Sequence, residues 1–134
     1  MPPAVFHDWL KEFRLDAFLH DEVACVLGTL PHHVCEDFVG DPAFTLFDYE
    51  PRAGVAFHVP VRLPRGGNGH AGASRSVVLK RTLARRPLPF VRYVIAHELA
   101  HAHLRNAGRF PGEDPEHAAD SLAAAWGFPR PAAW

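Results

Sequence analysis

Apolar side chains recur at helical intervals near both ends of the chain and alternate with polar ones in its middle. Phe6, Trp9, Leu10 and Phe13 fall three or four positions apart, which lays them along one face of a helix over Ala4 to Phe13. Phe18, Val23, Val26 and Leu27 mark a second helix that stops near Gly28. The run LPHHVCEDFVGDP predicts a short third helix. Pro31 suits its first turn, where a missing N–H costs nothing, and Gly40 suits the position past its end.

After Pro42 the period shortens to two. FTLFDYE is strand-like, and GVAFHVPVRL places Val55, Phe57, Val59, Val61 and Leu63 on one face of a second strand. Pro60 cannot donate to a ladder, so this strand belongs at an edge or carries a bulge. EPRAG suits a hairpin between the two, and RSVVLKRTL reads as a third strand. RGGNGHAGAS (65–74) is a glycine-rich loop without the spacing of a phosphate cradle. Helical periodicity returns at Pro89 and runs to about Arg105. A last helix takes Asp114 as N-cap and Pro115 as its first residue, with Leu122 and Trp126 on its apolar stripe and Gly127 just beyond its end. The order predicts an α+β domain: N-terminal helices, a small antiparallel sheet, then two helices.

The chain's 134 residues suit a single domain over 1–134, with its motif-bearing core at about 43–128. A formal net charge of −1 points to neither nucleic acid nor membrane as a partner. Arg75, Lys80, Arg81, Arg85, Arg86 and Arg92 form a basic run, expected to be a solvated face. No apolar run approaches the roughly 20 residues of a membrane helix, and the start lacks the pattern of a signal peptide. Cys25 and Cys35 lack CxxC spacing, so they are expected to be small reduced core thiols and not zinc ligands. These features lead to an expectation of a cytoplasmic protein.

The compositional outlier is histidine, with ten residues. His97-Glu98-Leu99-Ala100-His101 spells H-E-x-x-H inside the fourth predicted helix. Residues four apart share a helical face, so both imidazoles can reach one Zn²⁺ at about 2.0–2.1 Å. Glu98 projects from the neighbouring face, where it can reach a metal-bound water and not the metal. Two histidines and a glutamate among apolar residues are costly to bury unless they are paired or metal-bound. A third ligand must come from elsewhere, leaving the fourth position to water. Leu104 and Ala107 occupy the Gly and His positions of the longer metzincin motif, which excludes that source. Glu116 and Asp120, again four apart, face the same way on the last helix. One can bind zinc while the other accepts a hydrogen bond from a ligand histidine. His117 is the rival third ligand. His103 lies two positions past the motif and so faces away from it. His7, His20, His32, His33, His58 and His70 are scattered and expected to face solvent or hydrogen-bond locally.

H-E-x-x-H followed by E-x-x-x-D resembles the gluzincin zinc peptidases. More narrowly, VIAHELAH with PEHAADSLAAAWGF resembles bacterial ImmA/IrrE-type metallopeptidases, and the short chain is similar to minimal gluzincins. The resemblance covers about residues 75–128. It implies a minimal zincin-like domain with His97, His101 and Glu116 as ligands, Glu98 as general base, and Asp120 behind a ligand histidine. The activity implied is a zinc-dependent peptidase acting on peptide or protein substrates, an endopeptidase rather than an exopeptidase. The alternatives are a non-catalytic zinc-containing module that binds protein or DNA, and a SprT-like protease with His117 as third ligand. The oxyanion donor is open among Tyr93, His103, Arg105 and His117. Comparing the two rivals on the last helix, adjacent residues there point about 100° apart, and only one is expected to reach the metal beside His97 and His101. Asp120 lies one turn from Glu116, whereas the weaker Ser121 lies one turn from His117, and this favours Glu116. Alanines at 118, 119 and 123 let this helix approach the H-E-x-x-H helix closely.

Overall fold

A computed structural model describes residues 3–49, 75–104 and 115–132. The expected strand at 54–63, the 65–74 loop, the EPRAG turn, Asp114, Arg105, His58 and His70 lie outside the described residues. Three N-terminal helices come first: α1 (Pro3–Leu10), α2 (Ala17–Thr29) and α3 (His32–Val39). Strands β1 (Phe44–Tyr49) and β2 (Arg75–Lys80) follow, and a 3-10 turn (Arg81–Arg85) leads into α4 (Leu88–Leu104) and α5 (Pro115–Ala125). The arrangement is a mixed helical fold around a small sheet.

The antiparallel expectation is corrected. β1 pairs directly with β2 in parallel, in register from Phe44↔Arg75 to Tyr49↔Lys80. A tight hairpin forces neighbours to run in opposite directions, whereas a longer connection, here 50–74, can return the chain in the same direction. RSVVLKRTL also stops being a strand at Lys80, and the next residues coil into the 3-10 turn with Leu83 buried beneath it.

α1 ends at Leu10, short of Phe13, because the next residues have another use. Arg14 forms a parallel bridge to Phe47, and its carbonyl accepts from Asp48 N at 3.0 Å. The buried Asp48 carboxylate accepts from the Asp16 backbone N–H and from Arg81 Nε at 3.0 Å, which meets the hydrogen-bonding demand of a desolvated charge. Asp16 in turn caps α2, its side chain accepting from Phe18 N at 3.1 Å. α2 runs one residue past Gly28. α3 sits where its punctuation predicts, between Pro31 as N-cap and Gly40 as C-cap.

The core joins Phe6 and Leu10 of α1, Leu19, Val23, Val26 and Leu27 of α2, Phe44 and Leu46 of β1, Val77 and Leu79 of β2, and Val91, Ile95 and Leu99 of α4. α4 is central, packed against α5, α2, β2 and α3. It is therefore buried on several sides, and its apolar residues do not form one stripe. α5 packs on α4, and its Ala119 and Ala123 are both fully buried. It ends in a two-bond cap, Phe128 N to Ala123 O at 2.9 Å and Gly127 N to Ala124 O at 3.0 Å, with Gly127 at φ 99°. A side chain at that φ is strained, so the glycine is required there. Among the described residues no helix is long and apolar enough to cross a membrane.

Candidate metal centre

His97 and His101 lie one turn apart on α4, and their Nε2 atoms approach to 3.1 Å with the ring planes at 85°. Glu116, in the first turn of α5, completes the group. Its Oε1 is 3.4 Å from His97 Nε2, and its Oε2 is in contact with His101 Nε2. The facing ligand atoms of the three residues all lie within 4.8 Å of one another. His97 is buried, His101 half-buried, and the Glu116 side chain 67% exposed, so the cluster sits under a surface open to solvent.

A line of hydrogen bonds stands behind His97. Its Nδ1 is 2.7 Å from Asp120 Oδ1, and the Tyr93 hydroxyl donates to the same oxygen at 2.5 Å. An ionised carboxylate only accepts, so Nδ1 carries the proton, which in the neutral ring leaves the Nε2 lone pair toward His101 and Glu116. Burial alone pushes the Asp120 carboxyl up, but the bonds from Tyr93 and His97 outweigh it and hold the group below its ordinary range. The Tyr93 hydroxyl is pushed up to about 12, first by burial and then by its bond to Asp120. Glu98 is half-buried. Burial raises its carboxyl, with His97 and His101 pulling the other way and Glu116 adding to the rise.

These donors suit zinc. Two Zn–N bonds of ~2.05 Å at a tetrahedral angle place the nitrogens ~3.4 Å apart, close to the separation seen between the two Nε2 atoms. Two neutral imidazoles and one carboxylate form a common three-residue set for a zinc site that keeps a position open. The hydrogen-bonded Asp120 behind His97 is the usual support of such a ligand.

The residues expected at the site are thus brought together: His97, His101, Glu116 and Asp120, with Glu98 beside them. His117 is exposed and does not belong to the cluster, so Glu116 is the α5 residue that faces the imidazoles. Tyr93 went unrecognised as the tie to Asp120. Its signal was the spacing Tyr93–His97, four apart on one face. Its O–H is donated to Asp120. His103 turns away from the site and pairs Nδ1 with Asp37 at 2.9 Å, with Phe38 and Trp126 against its ring. It joins α4 to α3.

The basic run also differs from a plain solvated face. Arg81 pairs with Asp48, Arg92 Nε with Glu22 at 2.8 Å, and Arg86 stacks over Phe90 at 4.6 Å. Cys25 and Cys35 are free thiols, and the buried Cys35 donates to Leu27 O at 3.2 Å. Compared with protein-family models, curated proteins and solved structures, the chain matches none.

Proposed function

We propose that the chain is a zinc-dependent peptidase of gluzincin type, with His97, His101 and Glu116 holding the metal and Glu98 acting as general base. The observation that supports it most is the convergence of two H-E-x-x-H imidazoles and a carboxylate from another helix, with His97 backed by Asp120. Zinc in this site supplies Lewis acidity, which acidifies water and polarises a scissile carbonyl.

The remaining work falls to the chain's own groups. Glu98 takes the proton of the attacking water and returns it to the leaving amine nitrogen. Asp120 holds the His97 Nδ1 proton throughout, and Tyr93 fixes the Asp120 rotamer. The substrate class that the gluzincin resemblance implies is a peptide or protein, cut internally. Two free cysteines fit a reducing compartment, and we place the activity in the cytoplasm.

The test is cleavage of a peptide library by the full chain after zinc loading, with metal content measured on the same sample. Glu98→Gln is expected to retain zinc and fold and to lose nearly all turnover. A fully loaded wild type that cleaves nothing leaves a zinc-binding module and removes the enzyme.

A further inference from the structure

A second cluster of metal-ligating side chains is drawn from α1 and α2 and not from α4 or α5. His7 projects from α1, and His20 and Asp21 project from α2, which packs against it. The two Nδ1 atoms face each other at 3.3 Å, with ring centroids 4.9 Å apart and planes at 33°. Asp21 Oδ1 is 3.9 Å from His7 Nδ1 and 3.7 Å from His20 Nδ1. The three ligand atoms therefore close a triangle within 4.8 Å, sharing no residue with the other centre.

We propose that His7, His20 and Asp21 form a second site for a divalent transition-metal ion of the zinc type. One N–H shared between the imidazoles accounts for their approach. It does not account for the carboxylate, which stands beyond hydrogen-bond reach of both nitrogens yet within reach of an ion between them. The nitrogen separation is close to the ~3.4 Å of two ligands on one tetrahedral zinc. Two imidazoles and one carboxylate select zinc, copper, nickel or cobalt over calcium and magnesium, which want oxygen throughout. The His7, His20 and Asp21 side chains are 39%, 20% and 71% exposed, so an ion reaches them directly and Asp21 has room to close the last few tenths of an ångström.

The ion has a structural consequence. α1 has eight residues, too few for a stable helix in isolation, and the site spans α1 and α2. Metal binding therefore fastens the N-terminal helix to the body of the domain.

The test uses the full chain, stripped of metal and dialysed against Zn²⁺, with zinc counted per chain and folding followed by circular dichroism. Wild type is expected to hold two equivalents. The His97→Ala/Glu116→Ala chain, which lacks the first centre, keeps one. Adding His7→Gln or His20→Gln abolishes that equivalent and the zinc-induced rise in Tm. A folded His97→Ala/Glu116→Ala chain that holds no zinc overturns the proposal, as does an equivalent that survives both glutamine substitutions. Should the α4–α5 centre fail to bind, His20→Gln alone still lowers wild-type content by one, so the two failures are told apart.

Discussion

His97 and Asp120, on different helices, are joined at 2.7 Å between Nδ1 and Oδ1, and the bond fixes which imidazole nitrogen is free. The Nδ1 proton is held by the carboxylate, so the Nε2 lone pair faces His101 and Glu116. Asp120→Ala removes the orienting acceptor and is expected to lower zinc affinity about 10–100-fold, the usual cost of losing such a partner. Tyr93→Phe deletes one charge-assisted bond and leaves Asp120 in place. It is expected to cost about 1.5–3 kcal/mol of stability with a smaller loss of zinc. Competition with a chromophoric chelator and thermal melts measure the two quantities. Equal zinc affinity in Asp120→Ala and wild type would contradict the orienting role.

Glu116 and His117 are neighbours on α5 with opposite fates. Glu116→Ala is expected to strip most of the affinity from the α4–α5 centre, and His117→Ala to leave it stoichiometric. Zinc titration in a His20→Gln background reads this centre alone. The reverse result would favour a SprT-like third ligand and remove the gluzincin assignment.

The approach of α5 to α4 depends on small side chains at Ala119 and Ala123, both without exposed surface. Ala119→Leu forces extra volume between the helices and is expected to cost about 1–3 kcal/mol. Because Glu116 rides on the same helix, zinc affinity should fall with Tm. Ala124→Leu, at an exposed α5 position, should change neither.

Burial pushes the Cys35 thiol above its ordinary value of 9.0. The folded thiol keeps its proton to higher pH than the unfolded one. The stability it contributes is whole below about pH 9 and is lost as pH rises above that. Wild type should therefore lose stability relative to Cys35→Ala in alkaline denaturation series. At pH 8 an alkylating reagent should modify the half-buried Cys25 first and reach Cys35 only on unfolding, as mass spectrometry would report.

Local spacing was enough to determine the five helices, the punctuation of α3 by Pro31 and Gly40, and the shared face of His97 and His101. Each follows from a 3.6-residue repeat or a cap acting within a few residues. The pairing of Glu116 and Asp120 on one face was legible for the same reason. Tertiary structure decided which α5 residue meets the imidazoles, since that depends on how α5 is rolled on α4 by Ala119 and Ala123. It decided that β1 and β2 run parallel, because strand alternation states which side chains share a face and says nothing of the neighbour's direction. It also placed His7 beside His20 and turned His103 onto Asp37, contacts made across separate helices. Backbone periodicity acts along the chain, whereas these contacts are set by the packing of elements that the sequence keeps apart.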